Sequence, residues 1–492
     1  MISAILFISF FIFLILGVPI GICLGLSSVC AILYSGTSLT IVATNMYSGI
    51  SKFLLLAIPF FVLSGNIMAK AGISKRLIKF VDTCVGHKKG GIAIVCVIVA
   101  CFFGAISGSG PATVAALGAV LIPAMVEQGG FSAPFSTALM ATSSSIAIVI
   151  PPSIAFVVYA SITGTSIADM FMAGIVPGLL MGVALVIVVM LEAKKHNIKP
   201  SREKASGKER WDAFKDAFWG FLMPVIILGG IYGGIFTPTE AAAVSVVYGL
   251  FVGMVIYREV SIRDMFDILV DSAKTTGGIM LIVAIMLIVA SASLFSFVCT
   301  KFGIADAASN LLGSIAHNQF TFLLIVNIIF LIAGCFIDAN SAMYIFIPIM
   351  LPVCKALGYD IVAFGVMATV NLAIGQVTPP VGVNLFVAIS IKIKKGLEVT
   401  LQEISRAVVP MIAACVAVLL IVTYIPITST FLPKALAKEG SYTGDQSSAS
   451  SDTASKEAGD GNNSFDTIAD YSDLDWPEMT WNFACSTTML HY

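Results

Sequence analysis

The chain has 492 residues, of which 58% are hydrophobic and only 11% are charged, and its formal net charge is −1. Soluble chains carry about 25% charged residues, so this composition excludes an ordinary soluble protein. The near-zero net charge argues against nucleic acid as a partner. Between Gly90 and Leu191 the charged residues are Glu127 and Asp169 alone, and this stretch exceeds the roughly 20 residues that span a bilayer. We therefore predict an all-α polytopic membrane protein.

In chain order, apolar segments long enough to cross the membrane form two groups of five. The first group comprises 2–17, 18–35, 53–70, 132–163 and 171–193. The second comprises 217–236, 238–257, 275–299, 361–391 and 406–427. Two further stretches, 91–126 and 319–353, hold polar clusters at their centres, and we predict re-entrant hairpins there. The first group makes five crossings, an odd number, so the second group is expected to sit inverted.

The chain is thus predicted to divide into four parts. These are a first inverted repeat (1–193), a basic linker (194–215), a second repeat (216–434) and a disordered acidic tail (435–492). Lysine and arginine favour the cytoplasmic side, and the linker, His87–Lys89 and Lys392–Lys395 all agree with one topology. That topology places the N-terminus and the tail in the periplasm. The tail has ten acidic residues against one lysine from Glu439 onward, and it receives no function.

A pattern of polar clusters and prolines occurs once in each half. The first copy is Ser107-Gly108-Ser109-Gly110-Pro111, then Pro123 twelve residues later, then Pro151-Pro152. The second copy is Asp338-Ala339-Asn340-Ser341, then Pro352 twelve residues after Asn340, then Pro379-Pro380. The offset is 229 residues at Pro111 and Asn340 and 228 at the double prolines. Paired interruptions of this kind in two halves indicate the binding site of a secondary transporter.

The double prolines should break the helices 132–163 and 361–391 at mid-membrane, opposite the hairpin tips, because proline cannot donate to the helix ladder. Freed carbonyls and hydroxyls suit a hard monovalent cation that binds oxygen. Our candidates for such an ion are Ser107, Ser109, Ser144, Ser145, Gly334, Asp338, Asn340, Gly375 and Thr378. The competing interpretation is that serine and glycine simply allow close helix packing. Candidates for the substrate or for transport are Gly110, Pro111, Asp338, Asn340, Ser341 and Asn371.

Two acidic residues within apolar segments have structural alternatives. Asp338 at mid-membrane costs about 2.5–3.5 kcal/mol on insertion scales, which favours a functional role. Its alternative is an N-cap for the inner helix of the second hairpin. For Glu240 the structural interpretation is favoured, since Thr237, Pro238 and Glu240 form the pattern of a capping box.

The sequence offers no arrangement that would support an enzyme. The ten cysteines have no CxxC spacing, and the four histidines fall near predicted helix ends or in loops. Charged residues are too sparse to build a nucleophile, a base and an orienting group. We therefore expect neither catalysis nor a resident metal or organic cofactor.

Several stretches resemble the large membrane subunit of tripartite ATP-independent periplasmic (TRAP) transporters, the DctM-like permeases of the ion-transporter superfamily. They are FFGAISGSGPATVAALGAVLIPAM at 102–125, IPPSIAFVVYA at 150–160, FMAGIVPGLLMG at 171–182, GGIFTPTEAAAV at 233–244 and GQVTPPVGVNLFVA at 375–388. The resemblance covers about residues 1–435, and five motifs in the right order make it specific. The acidic tail falls outside it.

The resemblance implies Na⁺-driven import of small organic anions across the bacterial inner membrane by an elevator mechanism. It also implies two partners, a small four-helix membrane subunit and a periplasmic substrate-binding protein. It places one sodium ion at Gly334, Gly375 and Thr378, and another at the Ser107–Gly110 tip and the break at 144–149. Some sialic-acid-type relatives have an aspartate after the first hairpin's serines, which this chain lacks. That departure favours a C4-dicarboxylate or similar carboxylate, with sialic acid as the alternative.

Other functions remain open at this point. A self-sufficient Na⁺/dicarboxylate carrier would show the same repeat, and neighbouring genes for the two partners would distinguish it. A channel should line a continuous polar pore along several helices, whereas the polar residues here concentrate at four breaks. A membrane enzyme would need a reactive constellation, which the sequence does not show.

Overall fold

The computed structural model describes residues 2–18, 20–50, 56–279, 284–303, 318–391 and 399–436. These residues fold almost entirely into helices. The first half contains α1 (Ile2–Ile15), α2 (Ile20–Tyr34), α3 (Thr40–Ile50), α4 (Ala57–Lys70), α5 (Ile73–Val85), α6 (Gly91–Ser107), α7 (Gly110–Glu127), α8 (Ala133–Ser145), α9 (Ile154–Thr163) and α10 (Ile167–Lys195). The second half contains α11 (Gly207–Tyr232), α12 (Pro238–Phe251), α13 (Ile262–Ile279), α14 (Ala284–Lys301), α15 (Gln319–Phe336), α16 (Ala339–Ala356), α17 (Ile361–Gly375), α18 (Val383–Ile389), α19 (Leu401–Tyr424) and α20 (Ile427–Leu436).

The all-α polytopic class predicted from the sequence is confirmed. Within the described ranges, seven helices are long and apolar enough to cross a membrane, and α4 with α5, bent by 66°, would make an eighth. The described chain also contains shorter apolar helices, such as α6, α9 and α17. The inverted arrangement of the two halves and the elevator motion stay predictions.

Each predicted hairpin region contains two helices joined by a short polar connection. In the first, α6 ends at Ser107, and Gly108 takes the left-handed conformation with φ of +60°. Ser109 is extended, and α7 begins at Gly110 with Pro111 in its first turn, a position where proline's missing N–H costs nothing. In the second, α15 ends at Phe336, and α16 begins after Asp338.

The two double prolines lie where helices are interrupted. After α8 the chain makes a 3₁₀ turn at Ile146–Ile148, passes Pro151-Pro152 and starts α9 with Ser153 as N-cap. After α17 the chain passes Pro379-Pro380 before the short helix α18 begins. Because a residue that precedes proline disfavours helical geometry, both interruptions follow from local sequence.

Two helices differ from the sequence prediction. We predicted no element between 35 and 53, where α3 lies, and we predicted a span at 275–299. The chain instead forms α13, which starts at Ile262, and α14, with 280–283 outside the described residues. The helix α3 has only 11 residues, and charged and polar residues interrupt α13, so a search for long apolar runs passes over both.

The capping box predicted at Glu240 is confirmed. Thr237 N donates to Glu240 Oε2 at 2.8 Å, and Glu240 N donates to Thr237 Oγ1 at 3.3 Å. These bonds satisfy amides at the N-terminus of α12 that have no partner within the helix. Glu240 therefore has a structural role at this helix start.

The helix α5 has one apolar side and one polar side. Its apolar residues Ile73, Leu77 and Val81 are buried, while Lys79 on the polar side pairs with Asp216 of α11 at 3.3 Å. The predicted acidic tail lies outside the described residues, apart from its first two residues.

Candidate functional site

A cavity of about 720 Å³ lies where both hairpin tips and both helix breaks meet. The first tip contributes 107–111 and the second contributes 338–340. Ile148 and Ile154 flank it from the first break, and Gln376 and Val383 from the second. Asn66 and Lys70 of α4 complete one side. A cavity of this size is large enough to hold a small organic molecule.

The first tip is held together by hydroxyl groups. Ser107 Oγ lies 2.8 Å from Thr113 Oγ1, and Thr113 Oγ1 donates to Ser109 O at 2.8 Å. Ser107 is 3% exposed, and its Cα would lie only 3.2 Å from a methyl group on Gly65 of α4. The predicted residues Ser107, Ser109, Gly110 and Pro111 thus lie together on the cavity wall.

The second tip is organised around Asp338. Its Oδ2 accepts hydrogen bonds from Asn340 N and Ser341 N, both at 3.1 Å, so the aspartate caps α16. Asp338 also lines the cavity beside Asn340. The capping alternative is therefore present in the structure. It is compatible with a functional role, because the carboxylate sits at the cavity while it caps the helix.

The predicted serines of the first break lie behind the cavity wall. Ser144 Oγ donates to Ala141 O at 2.6 Å, and Ser145 Oγ donates to Thr142 O at 2.7 Å. Both residues are fully buried. The adjacent 3₁₀ turn packs tightly on the first hairpin, since a methyl group on Gly104 would lie 2.6 Å from Ala147 Cα.

Gly334 and Gly375 are brought into direct backbone contact. A methyl group on Gly375 would lie 2.5 Å from Gly334 Cα, and one on Gly334 would lie 2.9 Å from Gly375 Cα. The hairpin helix α15 and the broken helix α17 therefore touch at these two glycines. Nearby, Thr378 Oγ1 donates to Ile374 O at 2.7 Å.

Asn371 lies away from the cavity, in a buried polar network. Its Nδ2 donates to Asn327 O at 2.9 Å and to Asn327 Oδ1 at 2.8 Å. Asn327 Nδ2 in turn donates to Thr423 Oγ1 of α19 at 3.2 Å. The network ties α15, α17 and α19 together, so the geometry gives Asn371 a bracing position. It does not bring Asn371 to the cavity wall, where candidates such as Gly110, Asp338 and Asn340 lie.

Replacing Asn371 with leucine should lower stability by about 1–3 kcal/mol, because it leaves the buried acceptors of Asn327 without their donor. The apparent Tm of the detergent-purified protein should fall. Asn45→Leu is the control, since in the described part of the chain Asn45 Nδ2 donates to Ile41 O of its own helix. An unchanged Tm for Asn371→Leu would show that the network does not hold these helices together.

Four polar residues at or beside the cavity were missed by the sequence reasoning. Asn66 and Lys70 lie on α4, where Asn66 Nδ2 donates to Ser272 Oγ of α13 at 2.9 Å. Gln376 follows Gly375 directly, and Asn384 is the second residue of α18. A search for amides inside apolar segments would have marked Asn66, Gln376 and Asn384, because such groups are costly in a membrane without partners.

Comparison with known proteins gives a consistent assignment. The family model of the tripartite ATP-independent periplasmic transporter, DctM component, matches residues 7–428. The C4-dicarboxylate TRAP transporter large permease protein DctM of Rhodobacter capsulatus is 41% identical over 436 residues, which cover 85% of this chain and 96% of that protein. The sialic acid TRAP transporter large permease protein SiaM of Vibrio cholerae is 35% identical over 85% of this chain and 95% of its own length.

A third relative is longer than this chain. The isethionate TRAP transporter permease protein DctMQ of Oleidesulfovibrio alaskensis is 41% identical over 428 residues, which cover 87% of this chain but only 66% of that protein. Among solved structures, the YdaH transporter of Alcanivorax borkumensis has a TM-score of 0.57 at 13% identity, over 80% of this chain and 89% of its own. That likeness concerns the fold alone.

The family match covers most of the chain, and the relatives are large permease proteins of one transporter class. The multi-pass helical fold agrees with an inner-membrane location. The chain belongs to the DctM family, the large permease components of tripartite ATP-independent periplasmic transporters.

Proposed function

We propose that this permease imports small organic anions, driven by a Na⁺ gradient, through an elevator motion. The observation that carries the proposal is that two hairpin tips and two helix breaks line the same cavity. Broken helices at the site of a secondary transporter present free carbonyls to cations and helix N-termini to anions. Among the described residues that line the cavity, Lys70 carries the one positive charge, which can attract an anion.

The oxygen atoms at the breaks support Na⁺ as the coupling ion. At the first tip, Ser107 Oγ and Ser109 O lie within one hydrogen-bonded cluster. At the second break, the Gly334 and Gly375 backbones meet one turn from Thr378. Hydroxyl and carbonyl oxygens are the ligands that a hard cation prefers.

The hairpins and broken helices of the two halves interlock, which supports their movement as one body. Tyr159 Oη of α9 donates to Ile361 O of α17 at 2.7 Å. A methyl group on Gly365 of α17 would lie 2.4 Å from the Tyr159 ring. Close packing of this kind transmits motion rigidly, as an elevator requires of its moving domain.

Two partners are part of the proposal, a small four-helix membrane subunit and a periplasmic binding protein. The longer relative DctMQ supports an additional component, because about a third of its length lies beyond the part that matches this chain. For the substrate we propose a C4-dicarboxylate or similar carboxylate. The R. capsulatus relative is named for C4-dicarboxylates, and the first tip carries no acidic residue that would repel a second carboxylate.

Uptake by proteoliposomes tests the proposal. Labelled succinate and sialic acid would be offered to the permease reconstituted with its small subunit and binding protein, with and without an inward Na⁺ gradient. We expect succinate uptake only when both the gradient and the binding protein are present. Uptake of sialic acid alone would change the substrate assignment, and Na⁺-driven uptake without the binding protein would indicate a self-sufficient carrier. Uptake that ignores the Na⁺ gradient would refute the coupling.

A further inference from the structure

Two buried amide side chains converge on the tip of the first hairpin. A methyl group built on Gly110 would lie 2.8 Å from Asn384 Nδ2, 3.0 Å from Asn384 Oδ1 and 3.1 Å from Gln376 Oε1. All three atoms therefore lie close to the Gly110 backbone at the edge of the cavity, which both Gly110 and Gln376 line. Asn384 is fully buried and Gln376 is 7% exposed.

The backbone explains why these residues meet. Asn384 N donates to Gln376 O at 3.0 Å, so the chain after α17 folds back on itself at the start of α18. Gly382 makes this return possible with φ of +55°, a left-handed conformation that a side chain rarely allows. The loop of the second break thereby holds both amides against the hairpin tip of the first half.

Three polar atoms of these two amide side chains have hydrogen-bonding capacity that the described residues do not satisfy. Asn384 Nδ2, Asn384 Oδ1 and Gln376 Oε1 are buried without a hydrogen-bond partner among the described residues. Leaving a buried polar group unpaired is unfavourable, so three such atoms clustered beside a cavity indicate that a ligand group pairs with them.

The mixture of donor and acceptors narrows the class of that group. A carboxylate only accepts hydrogen bonds and would leave the two amide oxygens unpaired. A bare cation would pair with the two amide oxygens, but it would leave the Asn384 Nδ2 donor without an acceptor. A hydroxyl group both donates and accepts, so it matches the set.

We infer that Gln376 and Asn384 form a specificity site that recognises a hydroxyl substituent on the transported anion. The inference rests on the proposed transport of small organic anions through this cavity, and it adds a preference for anions with a hydroxyl group over unsubstituted ones such as succinate. The anionic group itself would lie elsewhere in the cavity, on the side that Lys70 lines.

Pairs of anions that differ by one hydroxyl test the inference. They are malate and succinate, lactate and propionate, and isethionate and ethanesulfonate. The assay measures the concentration of each anion that gives half-maximal thermal stabilisation of the detergent-purified membrane complex, since ligands that bind the native state raise its Tm. For at least one pair, wild-type protein should need about tenfold less of the hydroxylated anion, which corresponds to about 1.4 kcal/mol.

Gln376→Leu and Asn384→Leu should each bring that ratio close to one, mainly by weakening the hydroxylated anion. Asn45→Leu should leave it unchanged, because Asn45 lies on α3 and bonds within its own helix. Should the fully buried Asn384→Leu variant fail to fold, Gln376→Leu at the cavity wall decides the matter alone.

A ratio near one for all pairs in wild-type protein, or a ratio that both variants leave unchanged, would overturn the inference. Absence of stabilisation by all six anions would overturn it as well. The assay uses no Na⁺ gradient and no binding protein, so these outcomes leave the uptake experiment to decide the proposed function separately.

Discussion

Gly375→Ala should reduce the initial rate of uptake at least tenfold per molecule of permease. The new methyl group would lie 2.5 Å from Gly334 Cα and 2.6 Å from the Gly334 carbonyl carbon. These are backbone atoms that cannot rotate away, so α15 and α17 must separate. Overpacking of this kind costs about 1–3 kcal/mol, and it displaces the second break at the place where we propose that an ion binds.

A matched glycine provides the control. A methyl group on Gly229 of α11 meets nothing within 4 Å, so Gly229→Ala should transport at the wild-type rate. Size-exclusion profiles of both variants would separate a displaced helix from a protein that no longer folds. Uptake by Gly375→Ala above half of the wild-type rate would show that the close approach of the two helices is not required.

The same contact occurs in the first half, where Gly104 of α6 meets Ala147 of the 3₁₀ turn. A methyl group on Gly104 would lie 2.6 Å from Ala147 Cα. In each half, a glycine in the first helix of the hairpin therefore touches the break of the following helix. This correspondence adds a packing argument to the prediction of a repeat, which began from prolines and polar clusters alone.

Local chemistry made part of the architecture predictable from sequence. The helix interruptions beside Pro151-Pro152 and Pro379-Pro380 depend on the missing proline N–H, and the capping box at Glu240 depends on four adjacent residues. Such features need no knowledge of distant contacts. The long apolar runs likewise indicated membrane helices.

Contacts between residues that are distant in the sequence could not be predicted in this way. Nothing local shows that Asn384 meets Gly110, because 274 positions in the sequence separate them. Asn371 looked equivalent to the cavity residues by its place beside a break, yet Asn327 engages it away from the cavity. The helices α3 and α13 were missed for a different reason, since α3 is too short for a span and polar residues interrupt α13.

Asp338→Asn should lower Na⁺-driven uptake about tenfold and raise the Na⁺ concentration needed for half-maximal uptake, while the protein still folds. Asparagine caps a helix about as well as aspartate, so the two bonds from Asn340 N and Ser341 N would keep an acceptor. The substitution therefore removes the negative charge at the cavity and spares the cap. The sequence predicts Asp338 at mid-membrane, and a charge kept there despite its insertion cost is expected to serve transport.

Two further variants separate charge from capping. Asp360 caps α17 with similar geometry, accepting from Val362 N at 2.9 Å and Ala363 N at 3.0 Å, but it does not line the cavity, so Asp360→Asn should leave the Na⁺ dependence unchanged. Asp338→Ala removes both cap and charge and should cost about 1 kcal/mol more in stability than Asp338→Asn. Wild-type Na⁺ dependence in Asp338→Asn, combined with loss of uptake in Asp338→Ala, would mean that the aspartate serves only as a cap. Loss of Na⁺ dependence in both variants would place the carboxylate in the coupling step. Because asparagine keeps the cap, loss of the cap cannot explain an effect that Asp338→Asn also shows.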